Sequence, residues 1–66
     1  MKLIDFLQVC KTARVIINTE KYHALVYAGE TDDAIFILSN GEYRALQATV
    51  TGFTSINDKI YVWIRG

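Results

Sequence analysis

Leu3, Phe6, Leu7 and Cys10 recur at the i, i+3, i+4, i+7 spacing that gathers side chains on one face of a helix. Lys2, Asp5, Gln8 and Lys11 fall off that face. The spacing predicts a short amphipathic helix over residues 2–11. A helix of this length does not hold itself together in water, so its apolar stripe has to lie against a sheet. The period then changes. Residues 13–18 and 22–28 are rich in β-branched and aromatic side chains and flank the polar cluster Asn18-Thr19-Glu20-Lys21, which predicts a β-hairpin. Alternation puts Val15 and Ile17 on one face of the first strand, with Arg14 and Asn18 pointing away. It puts Leu25 and Tyr27 together on one face of the second, which Gly29 is expected to end.

Residues 31–47 carry two conflicting patterns. Thr31 followed by Asp32 and Asp33 reads as an N-cap with an acidic first turn, and Asn40-Gly41 reads as the left-handed stop of a short helix. The same Asn40-Gly41 is also a strong hairpin turn, and Ala34-Ile35-Phe36-Ile37-Leu38 has the composition of a strand. The balance favours a helical insert. The last pattern is the clearest: residues 49–56 and 59–65 flank Asn57-Asp58, two residues that tolerate the positive φ angles of a tight turn.

With a two-residue loop, Phe53 faces Val62, Ser55 faces Ile60 and Thr51 faces Ile64, giving an apolar side that meets the core. The other side gathers Val50, Gly52, Thr54 and Ile56 against Lys59, Tyr61, Trp63 and Arg65. Gly52 opposite Trp63 leaves room for the indole to lie across the neighbouring backbone. A three-residue loop would bring Phe53 beside Trp63 instead. Either loop leaves Tyr61 and Trp63 on one face, opposite Ile60, Val62 and Ile64. The expected architecture is a single α+β domain over residues 1–66, with an N-terminal amphipathic helix packed on a small antiparallel sheet of two hairpins and a short helical or irregular insert between them.

Length sharpens this picture. A 66-residue chain supports one core. A chain of that size hides only about 60% of the surface its unfolded form exposes, and such a core supplies roughly 3–5 kcal/mol. Disulfides, metals or self-association are the usual supplements. Cys10 and His23 are each the sole residue of their kind, which excludes an internal disulfide framework and suits a reducing, cytoplasmic compartment. Self-association stays open.

Lys plus Arg and Asp plus Glu balance at seven each. That excludes neither a local basic patch nor shape recognition, but it argues against a duplex-binding stripe and against an acidic mimic of nucleic acid. The uninterrupted apolar runs, Ala34 to Leu38 among them, are far short of the ~20 residues that span a bilayer. Asp5 interrupts any export-signal reading of the N-terminus.

Candidate chemistry is sparse. A thiolate beside an imidazole is the minimum for covalent catalysis, yet Cys10 sits on the apolar helix stripe, where a free cysteine acts as a small hydrophobe. Asp32 and Asp33 do not make a coordination shell by themselves. The four glycines, Gly29, Gly41, Gly52 and Gly66, are too scattered to cradle a phosphate. No enzyme, metal or cofactor is expected. Tyr61, Trp63 and Arg65 stand out, because Trp, Tyr and Arg are enriched at the energetic centres of interfaces; the alternative is that another element of the chain covers them. Tyr43 and Arg44 form a second candidate of the same type. Stacking of single-stranded bases on Tyr61 and Trp63 is a further alternative, opposed by the neutral charge.

The order of elements resembles that of short uncharacterised proteins encoded by phages and mobile elements of Gram-positive bacteria. The likeness rests on the opening helix Met1 to Val9, the strand Ala13 to Asn18, the strand ending Leu25 to Glu30, and the hairpin Val50 to Ile64. It implies a setting in which small proteins bind and block or redirect a host protein, CRISPR-type nucleases among them. The expected function is therefore a non-enzymatic protein-interaction module, an inhibitor or adaptor; a self-associating homodimer or higher oligomer is the alternative.

Overall fold

The computed structural model describes residues 1–10 and 13–65. Lys11, expected on the polar side of the first helix, and Gly66 lie outside the described residues. In chain order the elements are α1 (Leu3–Val9), β1 (Arg14–Thr19), β2 (Leu25–Glu30), α2 (Thr31–Gly41), α3 (Tyr43–Gln47), β3 (Val50–Ile56) and β4 (Lys59–Ile64).

The helices form one layer and a four-stranded sheet the other, an α+β architecture with the helical insert between β2 and β3. Leu3, Phe6 and Leu7 of α1 are buried against Val15 and Ile17 of β1 and Val62 and Ile64 of β4, with Ala34 and Leu38 of α2 and Leu46 of α3 completing the core. Short α1 is tied down at its start by Leu3 N–H donating to Ala48 O at 2.9 Å and Val50 N–H donating to Met1 O at 2.8 Å. These bonds supply the order that its length alone does not.

The sheet order is β2-β1-β4-β3. Both hairpins are antiparallel as expected, but they join through parallel β1 and β4, from Arg14 beside Lys59 to Thr19 beside Ile64. The sheet is thus mixed and not antiparallel throughout. β1 and β4 contain the apolar runs Val15-Ile16-Ile17 and Ile60-Tyr61-Val62-Trp63-Ile64, and strands of that composition take the middle of a sheet.

Several local expectations are overturned. β2 starts at Leu25, and the loop before it is closed by Thr19 N–H to Ala24 O at 2.9 Å and by His23 N–H to Thr19 O at 2.9 Å. His23 itself is left-handed at φ 54°. A register shift between Ile17 and Asn18 pairs Tyr27 with Ile17 but Leu25 with Asn18, so these two side chains do not share a face. Gly29 does not end β2. It lies under the Tyr27 ring, where a β-carbon would come within 2.6 Å of the phenol oxygen, and that oxygen donates to Glu30 O at 3.0 Å.

Thr31 is the first residue of α2 and not its cap. It is buried because it bridges to the start of β1: its N–H donates to Ala13 O at 2.8 Å, and its Oγ1 accepts from Ala13 N–H at 3.3 Å. Asn40-Gly41 is neither a left-handed stop nor a hairpin turn, since no described glycine has positive φ. Ser39 Oγ and Asn40 Nδ2 fold back to donate to Ile35 O at 2.6 Å and Phe36 O at 2.9 Å, and the helix continues to Gly41 before the chain bends at Glu42.

The last hairpin has the two-residue turn, with Asn57 at φ 50° and Asp58 at φ 64°. Phe53 faces Val62, Ser55 faces Ile60 and Gly52 faces Trp63. Near its start a bulge intervenes: Val50, not Thr51, faces Ile64, so Val50 packs on the core and leaves the opposite side. Thr51 Oγ1 instead donates to Trp63 O at 3.2 Å. A β-carbon at Gly52 would meet nothing within 4 Å, so the indole does not lie over that glycine. Phe53 reaches Phe6 at a ring separation of 5.1 Å yet stays 64% exposed, because α1 covers the edge strand only in part.

Candidate functional site

Pairing fixes what the helix-free face of the sheet presents. Its rows run Glu30, Arg14, Lys59, Ile56; then Ala28, Ile16, Tyr61, Thr54; then Leu25, Asn18, Trp63, Gly52. Strand alternation puts Val15, Ile17, Val62 and Ile64 into the core and therefore turns Ile16, Tyr61 and Trp63 the other way. Ile16, Tyr61 and Trp63 belong neither to the core cluster nor to the partly buried residues packed on it. They are half-buried by their neighbours in the sheet itself. The centre of this face is thus apolar and aromatic, with Arg14 and Lys59 exposed in the row below.

Arg65 follows β4, and its N–H donates to Thr49 O at 2.9 Å. Its side chain lines a cleft of about 320 Å³ at the end of the sheet, shared with Arg44 and Glu42 over a floor that includes Leu25, Ala45 and Ile64. Two groups of residues separate in sequence, Tyr61-Trp63-Arg65 and Tyr43-Arg44, therefore each contribute an arginine to the same cleft. Tyr43 is exposed, and its phenol oxygen accepts from Gln47 Nε2 at 3.4 Å. Among the described residues the side-chain hydrogen bonds involve no arginine.

Sequence reasoning missed Ile16 as a member of this surface. The signal was present in β1: an apolar residue at Ile16, between the inward Val15 and Ile17, marks a strand with apolar side chains on both faces.

The residues considered for chemistry take quieter positions. Cys10 packs at the margin of the core, and burial pushes its thiol pKa up, which lowers the thiolate fraction available for nucleophilic attack. His23 is exposed in the loop after β1. Asp32 and Asp33 are exposed in the first turn of α2, where acidic side chains suit the helix dipole. No group of three or more metal-ligating side chains occurs among the described residues. No described helix is long and apolar enough to cross a membrane. No protein-family model matches the chain, and neither a curated protein nor a solved structure matches it.

Proposed function

We propose that this chain is a non-enzymatic interaction module that docks on another protein through the open face of its sheet, with Trp63 and Tyr61 at the centre of the contact. The observation that carries the reading is the position of Ile16, Tyr61 and Trp63 on the side of the sheet away from all three helices. Interfaces concentrate their energy in such aromatic centres, with polar groups at the rim. Arg14 and Lys59 on one side and Arg65 with Arg44 at the cleft supply that rim.

Size places a demand on the partner. Four strands spaced about 4.8 Å apart, each about 20 Å long, give a face of roughly 400 Å², half of the roughly 800 Å² that each side of a standard interface buries. The partner must therefore also engage the cleft. Stacking of single-stranded bases is the weaker reading, because Glu30, Asp32 and Asp58 line the same pocket as Arg14 and leave its surroundings without a net basic character. A role as an inhibitor or adaptor of a host protein, of the kind phages encode, is consistent with a domain that offers a surface and no reactive centre.

Capture from a bacterial lysate, with the wild type and Trp63→Ala side by side, tests this. The expected result is one protein retained by the wild type and lost from a folded Trp63→Ala, with binding at least about 30-fold weaker, as for an interface hot spot. Equal retention by both proteins, or release of the captured species by nuclease, would reject the reading.

A further inference from the structure

Building on the open-face reading for the existence of a partner protein, we infer that the cleft at the end of the sheet is a carboxylate site. Its occupant is an acidic residue with an apolar neighbour in a segment of that partner. The cleft holds about 320 Å³, at the small end of the roughly 300–1,000 Å³ of ligand sites, so it suits a short segment and not a large ligand. Backbone bonds fix its walls. Glu20 N–H donates to Ile64 O at 2.7 Å, tying the turn after Thr19 to the end of β4, and Arg65 N–H donates to Thr49 O at 2.9 Å, tying Arg65 to the chain leaving α3. Ala45 and Ala48 present only methyl groups where α3 meets the strand ends, which leaves the space between them and β2 open. A site held in this way needs little reordering to bind.

The lining selects the ligand. Arg44 and Arg65, both exposed, set two positive charges against the one negative charge of Glu42, an excess of one. A carboxylate carries the single negative charge that balances it, whereas the nearly double charge of a phosphate group would be repelled by Glu42. Neither arginine makes a side-chain hydrogen bond among the described residues, so both keep their donors for the planar, bidentate pairing that carboxylates accept. Thr19 Oγ1 accepts from Ala24 N–H at 3.1 Å, which leaves its hydroxyl hydrogen to donate from the same cleft.

The apolar half of the occupant follows from Leu25. This side chain is 63% exposed and lines the cleft, yet it also stands in the open-face row that contains Trp63. A protein seated on Trp63 therefore reaches the cleft along a continuous surface, and an apolar side chain beside its carboxylate would cover Leu25.

The probe is the tripeptide Leu-Glu-Leu, acetylated and amidated so that its one charge is the glutamate, with Leu-Gln-Leu and inorganic phosphate as comparators. Each is titrated into wild type, Arg44→Gln, Arg65→Gln and Trp63→Ala and followed by nitrogen–proton correlation spectra. Both arginines lie outside the core, so their replacement leaves it intact. The expected result is saturable shifts at the Leu25, Ala45 and Arg65 amides with a dissociation constant on the order of 1 mM. Binding should be at least about five-fold weaker in either arginine variant and for Leu-Gln-Leu, and unchanged in Trp63→Ala. No shift up to about 10 mM peptide, equal binding of Leu-Gln-Leu, indifference to both arginine variants, or tighter binding of phosphate than of Leu-Glu-Leu overturns the inference. The two readings fail separately. Peptide shifts that need the arginines, together with lysate capture indifferent to Trp63→Ala, uphold the carboxylate site and reject the open face; capture lost in Trp63→Ala with no peptide shift does the reverse.

Discussion

Val62 and Trp63 are neighbours in β4 that point to opposite sides of the sheet, so truncating each to alanine compares the two faces within one strand. Val62 is fully buried. Its truncation removes two carbons at roughly 0.8 kcal/mol each, and the cavity left behind brings the cost to about 2–2.5 kcal/mol. A domain of this size holds roughly 3–5 kcal/mol in reserve, so Val62→Ala consumes about half of it. At about 4–8 °C per kcal/mol, the midpoint of thermal unfolding should fall by about 10–20 °C.

Trp63→Ala leaves no hole in the core. It loses the cross-strand packing that leaves the indole half-buried, worth about 1–1.5 kcal/mol, and should lower the midpoint by about 4–12 °C. Far-ultraviolet circular dichroism during thermal and urea unfolding reads both variants without needing the indole as a probe. Since Trp63 is the sole tryptophan, quenching of native fluorescence by acrylamide adds an independent measure, and quenching between that of a free indole and that of a core one is expected for the half-buried side chain. A Trp63→Ala penalty equal to or larger than that of Val62→Ala, or an indole shielded from acrylamide, would refute the placement of Trp63 outside the core.

Three further outcomes follow from local geometry. Thr31→Ala removes the acceptor for the Ala13 N–H and should cost about 1–2 kcal/mol in urea unfolding, although the residue lies far from the open face. Asp58→Gly should stabilise the last hairpin by up to about 1 kcal/mol, because Asp58 holds φ 64° and glycine takes that conformation without a steric cost; a matched Asp58→Val should lose about 1–2 kcal/mol. Burial raises the pKa of Cys10, and burial with the charges of Asp33 and Glu30 raises that of Tyr27. In both cases the fold favours the protonated form, so the stabilisation is intact at neutral pH and disappears as pH climbs through the alkaline range beyond the ordinary thiol and phenol values. Urea midpoints measured across that range should fall, and should fall less in Cys10→Ala.

The parts of the fold that were readable are those in which one period dominates a short stretch. Leu3, Phe6 and Leu7 announced α1 because a single stripe must be buried, and Asn57-Asp58 announced the last turn because few residue pairs accept two positive φ angles. The parallel seam between β1 and β4 was hidden, since pairing between strands more than forty residues apart leaves no local trace. The bulges were hidden for a related reason. A one-residue slip at Thr51 moved Val50 from one face to the other, and no feature of Val50-Thr51-Gly52 marks that slip. At the site, Tyr61 and Trp63 were legible from alternation alone. That Arg65 and Arg44 line one cleft depends on how α3 docks beside the strand ends, which tertiary packing decides.

The seam between β1 and β4 also governs how the chain can be divided. Each hairpin contributes one central strand, so cutting the polypeptide between them would leave two fragments, each with an apolar strand lacking its mate. Neither piece closes a core alone, since Val15 and Ile17 lie in one and Val62 and Ile64 in the other. The contacts that close the core thus span most of the sequence, so the two hairpins are expected to fold together. The same architecture suits a split reporter: two halves, silent apart, that regain a shared structure when brought together.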